Sequence, residues 1–341
     1  MTRTNKSMIV LISIAILIFG AVSAQAACTP GTPTVIIWHA GSLSNAFKAV
    51  ENLFTAQGAP GYGVCVQDKS AGSVDIMRQV TAGGQAADIV APADYLDIDI
   101  FLKPAGYANY NIQFTQSKMV LAFLASKIAA KGIPVPTPDD WYTIVTNPNL
   151  NVTIGGSHLY LDPSGYRAPM IFLLAQDYYN VPNLYNNLLE HYVAAPAQGA
   201  TTPYALGTNY DFSLTYESNA IATAATNSDY QYIELPDAIN LGNSSNNKVY
   251  KKAVIVMPDL NGTGLVPVPG SRVTWGITIL KKAPNPDNAL KFVQFLLSDA
   301  GAQKAMADNH FPLLSPSLVG PLDYLFLPKV LRPYVQVEFG Q

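Results

Sequence analysis

The chain has 341 residues, of which 49% are hydrophobic and 13% are charged, and its formal net charge is −3. This composition is typical of a folded globular protein, and it excludes an intrinsically disordered chain, a collagen-like chain, a coiled coil and a disulfide-rich miniprotein. The excess of acidic over basic residues argues against a nucleic-acid-binding protein, which needs a basic surface.

The first 26 residues have the three parts of a secretory signal peptide. Basic Arg3 and Lys6 precede an apolar run at 8–22 in which Ser13 is the one polar side chain, and residues 24–26 (AQA) fit the small-x-small cleavage rule. We therefore expect cleavage before Ala27 and a periplasmic or extracellular mature protein. An uncleaved membrane anchor is the alternative, although the apolar run is shorter than the roughly 20 residues that a bilayer requires.

Cys28 and Cys65 are the two cysteines of the chain. Lipid attachment at Cys28 is one alternative fate, but Gln25 stands where a lipoprotein signal has an aliphatic residue. Outside the cytoplasm cysteines tend to pair, and these two lie near the starts of two predicted neighbouring strands, so we expect a disulfide rather than two unrelated thiols. Neither cysteine has a second cysteine or a histidine at ligand spacing, so we predict no zinc or redox site there.

The 315 residues after the signal exceed what a single hydrophobic core usually organises, so we expect two lobes. Apolar runs and helical periodicity alternate along the first part of the chain, which indicates a parallel sheet with helical crossovers and ligands at the carboxyl ends of the strands. The elements predicted here are a strand at 34–38 with a helix through 47–54, a strand at 63–66 with a helix through 74–80, and a strand at 88–91.

A second set of elements predicts the other lobe. Its predicted elements are strands at 119–125, 152–154 and 159–161 and a helix at 167–179, after which the chain returns with a strand at 276–280 and closes with a helix at 286–298. Loop-like segments rich in Asn, Gly and Pro lie at 194–210 and 240–247. We predict a discontinuous lobe 1 made of residues 32–116 and 280–341, with residues 117–279 forming lobe 2.

Three predicted strand-to-helix loops carry glycines and hydroxyl side chains: residues 41–44 (GSLS), 71–73 (AGS) and 162–165 (DPSG). The N–H groups and the positive dipole end of a helix N-terminus bind anions without any Lys or Arg. Each motif alone is more often an ordinary helix cap. Three such loops at the carboxyl ends of strands in two facing lobes favour an anion site between the lobes.

The same residues resemble a known family, the archaeal-type molybdate/tungstate-binding proteins, which are the solute-binding receptors of an ATP-driven oxyanion importer. The resemblance covers nearly the whole mature chain. DPSGYR and the LPDAINLG run are its specific motifs, whereas HAGSLS alone is shared by wider relatives. The matching segments are 39–44, 71–73 with Arg78, 87–95, 140–142, 162–167, 216–220, 235–242 and 276–279.

The resemblance implies a two-lobed periplasmic-binding-protein-like (type II) α/β fold that closes on one oxyanion. Ser42 and Ser73 would contribute hydroxyl and backbone N–H groups, Ser164 its backbone N–H, and Tyr216 a hydrogen bond from its phenol. It also implies an ABC-transporter permease as partner, no cofactor other than the bound oxyanion, and a monomer. By composition alone, Tyr216 would instead be one of 19 tyrosines that pack a surface between lobes.

Asp162 is the residue that separates the possible anions, because a carboxylate repels a simple dianion such as sulfate or phosphate. A molybdenum or tungsten centre can accept that carboxylate as an additional ligand. The family has a second carboxylate just before the Tyr216 position, where this chain has Thr215, and Glu217 follows instead. Four possibilities stay open for the bound ion: a six-coordinate metal centre, a five-coordinate one, a centre that recruits Glu217, and a tetrahedral ion.

Ordinary structural roles remain open for several of these residues. Asp162 could be an N-cap ahead of Pro163, and Glu217 could be a solvated charge. Gly72, Thr215 and Glu217 are further candidate contacts, and so are Thr201 and Thr202 in the loop before Tyr216.

Other function classes are disfavoured. The four histidines, at positions 39, 158, 191 and 310, lie in no catalytic motif, and the chain has neither a Gly-x-Ser-x-Gly nor a His-Glu-x-x-His sequence, so a secreted hydrolase is not expected. We expect His39 to be a packed residue. A receptor for sulfate, phosphate or a small organic acid would use the same helix dipoles, and a passive adhesive protein would need no anion site.

Overall fold

The computed structural model describes residues 28–29, 31–56, 62–196 and 205–339. The predicted signal peptide at 1–26 and the candidate contacts Thr201 and Thr202 lie outside these residues. Within the described part of the chain, no helix combines the length and apolar character needed to cross a membrane.

Strands and helices alternate along the chain. The strands are β1 (Thr34–Ala40), β2 (Cys65–Ala71), β3 (Ile89–Ala91), β4 (Ile112–Gln116), β5 (Met119–Leu124), β6 (Ile154–Gly156), β7 (Tyr192–Ala194), β8 (Phe212–Tyr216), β9 (Tyr230–Glu234), β10 (Val254–Pro258), β11 (Leu265–Pro269), β12 (Thr274–Ile279), β13 (Leu313–Val319) and β14 (Val335–Val337). The α-helices are α1 (Ser44–Thr55), α2 (Ser73–Val80), α3 (Tyr95–Asp97), α4 (Ala125–Ala130), α5 (Trp141–Val145), α6 (Pro163–Tyr179), α7 (Leu184–Glu190), α8 (Glu217–Ala224), α9 (Asn247–Tyr250), α10 (Pro286–Ser298), α11 (Ala300–Asp308) and α12 (Pro321–Phe326). Short 3-10 helices cover Gly41–Leu43, Ser244–Asn246 and Lys329–Tyr334, and a π-helix covers Ile98–Leu102.

The described strands form a seven-stranded sheet in the order β14-β13-β4-β12-β3-β1-β2 and a five-stranded sheet in the order β7-β6-β8-β5-β9. Strands β10 and β11 form a separate two-stranded antiparallel sheet. Strand β1 is parallel to β2 and β3, whereas β12 is antiparallel to β3 and β4. The expectation of a parallel sheet is therefore correct for β1, β2 and β3, whereas β12, β4 and β13 join the same sheet through antiparallel pairs.

Apolar helix faces cover the seven-stranded sheet. Helix α1 buries a stripe that includes Phe47 and Phe54, and helix α10 buries Phe292 against both rings at centroid distances of 6.2 and 5.2 Å. Helix α10 has the bounds predicted from its apolar spacing and begins with Pro286 at its first turn. Cys28 and Cys65 are joined by a disulfide, as expected, with their Cα atoms 5.8 Å apart.

Strand β2 continues through residues 67–71, although the sequence predicted a strand at 63–66 and a loop at 70–73. The whole of β2 pairs with the apolar strand β1, from Thr34 opposite Cys65 to Ala40 opposite Ala71. The long partner strand therefore holds a polar segment in extended form at the edge of the sheet. The predicted strand at 159–161 is also wrong, because these residues form turns that lead into α6.

The chain returns to the seven-stranded sheet at Thr274, earlier than the predicted lobe boundary at 280. Strand β12 pairs with β3, with Ile279 opposite Ile89, and with β4 on its other side. The sequence placed this strand in lobe 2, whereas its hydrogen bonds place it with the strands of lobe 1. An apolar run does not identify its partner strand, so only long-range pairing could correct this boundary.

Candidate functional site

Helix starts collect at one edge of each large sheet. The parallel strands β1 and β2 end at Ala40 and Ala71. The 3-10 turn that leads into α1 follows β1 directly, and α2 begins at Ser73, one residue after Gly72. In the five-stranded sheet, β6 and β8 are also parallel, and α6 and α8 follow them. Each helix start presents N–H groups and a partial positive charge at such an edge.

The N-terminus of α2 touches the segment that leads into α6. The backbone N–H groups of Val74 and Asp75 donate to the carbonyl oxygen of Leu161 at 3.1 and 3.4 Å. A Cβ at Gly72 would overlap that same carbonyl oxygen, so only glycine allows this approach. Because Leu161 immediately precedes Asp162, the predicted loops 71–73 and 162–165 are brought into contact.

Arg167 connects the two sheets through a second set of contacts. Its side chain is 1% exposed, and its Nη1 donates to the Tyr216 hydroxyl at 2.8 Å and to the Ala93 carbonyl at 3.1 Å. Its Nη2 lies 3.1 Å from a carboxylate oxygen of Asp94, which also accepts a 2.8 Å hydrogen bond from the Tyr166 hydroxyl. Helix α6 is therefore tied to the loop after β3 of the other sheet.

Burial sets the protonation tendencies of the acidic groups around Arg167. Burial, with a contribution from the neighbouring Asp94, raises the pKa of Asp97 well above its usual range, while Arg167 opposes that rise. Burial also raises the pKa of Asp162, against the lowering effect of its hydrogen bond from the Ser164 backbone. A carboxylate at either position is costly unless a cation or a donor stands next to it.

The hydroxyl oxygens of three predicted site residues all act as hydrogen-bond acceptors. Ser42 Oγ accepts from the Trp275 indole at 3.0 Å, Ser73 Oγ accepts from the Ala93 N–H at 2.9 Å, and Tyr216 Oη accepts from Arg167. Each of these nitrogen partners can only donate, so each hydroxyl keeps its own hydrogen for another acceptor. Among the hydrogen bonds of the described residues, none uses these three hydroxyl groups as donors.

The three hydroxyls belong to one continuous set of contacts. The Tyr216 ring meets the Trp275 ring edge-on at a centroid distance of 4.9 Å, and Trp275 in turn holds Ser42. Ala93 accepts from Arg167 and donates to Ser73. The set can therefore offer three O–H donors to a ligand that carries only acceptors.

Asp162 and Ser164 have structural roles that the sequence left open. One carboxylate oxygen of Asp162 caps α6 by accepting the Ser164 N–H at 2.9 Å, and the Ser164 hydroxyl donates to Ser157 at 2.7 Å. The cap alternative for Asp162 is thus confirmed, and the N–H predicted for the anion is engaged in this structure. A cavity of about 160 Å³ is bordered by both Gly72 and Asp162.

Thr215 and Glu217 are not brought into this set. Residues alternate in direction along β8, so Thr215 faces away from the side of the sheet that Tyr216 faces. The Glu217 carboxylate lies 3.1 Å from the Lys118 ammonium in a partly exposed ion pair. Recruitment of Glu217 therefore finds no support in this arrangement.

Sequence reasoning gave no role to Arg167, Asp94 or Trp275. A signal was present for Arg167, because it is the only Lys or Arg in α6, whose residues from 163 to 172 are all buried. A cation in such a helix needs a buried partner. The partners themselves lie far away in sequence, so the pairing could not be found without the fold.

The chemistry of the set suits binding rather than nucleophilic attack. Ser42 and Ser73 accept hydrogen bonds from N–H groups, whereas a catalytic serine donates to a base. Three hydroxyl hydrogens without an acceptor among the described residues favour a ligand rich in acceptors, such as a fully deprotonated oxyanion.

Comparison with known proteins gives an independent finding. A family model described as bacterial extracellular solute-binding protein matches residues 35–311. The molybdate/tungstate-binding protein WtpA of Pyrococcus abyssi (strain GE5 / Orsay) is 32% identical over 331 residues, which cover 90% of this chain and 91% of that protein.

Two solved structures share the fold at low sequence identity. The sulfate-binding protein SubI from Mycobacterium tuberculosis H37Rv has a TM-score of 0.58 at 18% identity and covers 86% of this chain and 90% of its own. The periplasmic molybdate-binding protein of Azotobacter vinelandii has a TM-score of 0.55 at 14% identity and covers 82% of this chain and 100% of its own. These likenesses confirm the predicted two-lobed α/β fold class.

Replacing Arg167 tests whether its buried charge holds the two sheets together. Arg167→Met leaves the Asp94 carboxylate buried without its cation, so we expect a loss of about 3–5 kcal/mol in the free energy of unfolding, measured by urea denaturation. Adding Asp94→Asn, which keeps a capping oxygen for α3, should restore part of that loss. Lys304→Met, which removes an exposed ion pair with Asp308, is the control and should change stability little. If the stability loss of the double variant equalled the sum of the losses of Arg167→Met and Asp94→Asn, the pairing of the two side chains would be contradicted.

Proposed function

The chain belongs to the bacterial extracellular solute-binding proteins, within the group that includes the molybdate/tungstate-binding protein WtpA, and we propose that it captures molybdate or tungstate for an ABC importer. The observation that supports this proposal is that the hydroxyls of Ser42, Ser73 and Tyr216 all accept from N–H groups and so keep their own hydrogens for a ligand. A ligand that fits them must be rich in acceptors, as a fully deprotonated oxyanion is.

Binding would depend on fixed dipoles rather than on a free cation. The start of α2 contributes Ser73, and the turn before α1 contributes Ser42. The Arg167 guanidinium supports Tyr216 from behind and is already neutralised by Asp94. Net acidity of the chain gives no long-range attraction to an anion, so local donors would supply the affinity.

Asp162 would provide the selectivity. Its carboxylate caps α6 through one oxygen and borders the cavity next to Gly72. Toward sulfate, a carboxylate at this place is repulsive. Toward molybdenum or tungsten, the same carboxylate can become an additional oxygen ligand of the metal centre, which converts the repulsion into a bond. Thr215 and Glu217 would contribute no second carboxylate, so the centre would carry fewer protein ligands than an octahedral site.

Closure of two lobes on the anion would couple binding to delivery. The seven-stranded sheet would be the core of lobe 1, and the five-stranded sheet the core of lobe 2. Ser42 and Ser73 would belong to lobe 1, and Tyr216 and Asp162 to lobe 2. A ligand that contacts both pairs would stabilise the closed arrangement of the lobes over an open one. A permease would then recognise the closed form.

The remaining features support a secreted receptor. The family is extracellular, and residues 1–26 of this chain have the layout of a cleavable signal peptide. The Cys28–Cys65 disulfide fits an oxidising compartment. We infer an exported, monomeric binding protein without catalytic activity.

Calorimetric titration of the mature, anion-stripped protein with molybdate, tungstate, sulfate and phosphate in one buffer tests the function. We expect one-to-one binding of molybdate and tungstate at least about a hundredfold tighter than sulfate, and phosphate weakest because its remaining hydroxyl meets a site made of donors. A preference for sulfate would instead assign the second candidate function, a sulfate receptor, which the three donor hydroxyls would equally suit.

Asp162→Asn separates the ligand role from the capping role. Asparagine keeps a side-chain oxygen for the Ser164 N–H but is a poor metal ligand, so molybdate and tungstate affinity should fall at least about tenfold while sulfate affinity stays or rises. Asp299→Asn is the control, because Asp299 caps α11 in the same way through the Ala302 N–H at 2.9 Å. Equal losses for all anions would reduce Asp162 to a structural cap.

Gly72→Ala tests closure without changing a ligand group. The φ of −62° and ψ of 140° at Gly72 suit alanine, so the fold should persist, but the added Cβ would overlap the Leu161 carbonyl across the boundary between sheets. We expect at least about tenfold weaker molybdate binding and a larger radius of gyration in X-ray scattering with the anion present. In Gly41→Ala the nearest atom to the new Cβ is 3.9 Å away, so both quantities should be unchanged. Unaltered binding by Gly72→Ala would refute the closed arrangement.

A further inference from the structure

A second cluster of potential ligands lies beneath the first anion-binding loop. His39, Glu51 and Asp68 come from β1, α1 and β2, and one ligand atom of each lies within 4.8 Å of the other two. His39 and Glu51 are 0% and 1% exposed. The sequence predicted only a packed role for His39, since its two acidic neighbours are distant along the chain and no nearby residue marks it as a ligand.

Glu51 occupies a position where an apolar residue would be expected. It lies on the buried stripe of α1 with Phe47, Val50 and Phe54. Both of its carboxylate oxygens are buried, and neither has a hydrogen-bond partner among the described residues. Two carboxylates, those of Glu51 and Asp68, therefore lie close together beside a buried helix face, which is unfavourable without a cation between them.

The Nε2 atom of His39 faces the carboxylates, where it pairs with Asp68 through a hydrogen that a bound cation would replace. Its Nδ1 lies 2.8 Å from the Ala40 carbonyl oxygen, and a carbonyl can only accept, so Nδ1 carries a hydrogen. Its Nε2 points to Asp68 Oδ1 at 2.6 Å. Metal-binding histidines are commonly held in this way by a carbonyl on the far nitrogen.

We propose that His39, Glu51 and Asp68 form a site for one divalent transition cation of the zinc or manganese class. One imidazole and two carboxylates suit such ions. The two carboxylates carry a charge of −2 with neutral His39, and one divalent ion balances it. Ligand bonds of about 2.0–2.2 Å need side-chain shifts of roughly 1 Å from the present positions. Asp68 is 18% exposed and marks the entry path.

The bound cation would join β1, β2 and α1 just below the loop that carries Ser42. It would therefore stiffen the base of the anion-binding loop without touching the anion. None of the three side chains belongs to the set around Tyr216, so the cation site stands or falls separately from the proposed oxyanion site.

Metal content and a cobalt spectrum test this site in the mature protein without a polyhistidine tag. After chelator stripping and dialysis against Zn²⁺ or Co²⁺, we expect about one equivalent per chain, visible absorption bands from bound Co²⁺, and a higher melting temperature. Glu51→Gln and Asp68→Asn should each weaken Co²⁺ binding at least about tenfold. Asp211→Asn, which alters a buried carboxylate paired with Lys131, is the control and should keep the spectrum.

Asp68→Asn decides the test if Glu51→Gln does not fold, because the Asp68 side chain reaches the surface. A folded wild-type protein that binds no stoichiometric Zn²⁺ or Co²⁺ overturns the proposal and leaves a proton between the carboxylates. Undiminished Co²⁺ binding in a folded variant of either residue also overturns it, since the ion would then sit elsewhere.

Discussion

The buried charge of Arg167 is the interaction on which the arrangement depends. The guanidinium comes from a helix of the five-stranded sheet and finds its carboxylate, Asp94, and a carbonyl, Ala93, in the loop after β3 of the other sheet. A guanidinium that stays buried without these partners would be an uncompensated charge, so this one side chain ties the two sheets together. Because Arg167 also donates to Tyr216, the same contact leaves the phenol hydrogen available to another acceptor.

The proposed selectivity among anions comes from two opposed features of the site, its hydroxyl donors and the Asp162 carboxylate. The hydroxyl hydrogens of Ser42, Ser73 and Tyr216 would attract any fully deprotonated oxyanion, and Asp162 would repel those whose central atom cannot take a further oxygen ligand. The start of α2 meets the segment before α6 at the Leu161 carbonyl and Gly72, so the proposed closure would rest on close backbone approach rather than on an exposed cation. In such a site the affinity depends on close backbone approach, so one added Cβ at Gly72 is enough to disturb it.

Local patterns in the sequence predicted most of the strand-loop-helix units, because apolar spacing along 34–54 and 286–298 reflects faces that must be buried. The same patterns placed Ser42, Ser73 and Asp162 at helix starts. They failed where a distant partner decides the outcome: the polar segment 67–71 is held by β1, and 274–279 pairs with β3 and β4. The role of Arg167 was hidden for the same reason, since its partners are far away in sequence.

Anomalous X-ray diffraction from crystals of the mature protein grown with tungstate tests the central claim most directly, because tungsten locates itself. The account predicts one strong tungsten peak between the two large sheets, within hydrogen-bond reach of the Ser42, Ser73 and Tyr216 hydroxyls through its oxygens, and with the Asp162 carboxylate bound to the metal. A tungsten peak away from these residues, or one that the Asp162 carboxylate does not approach, would contradict it.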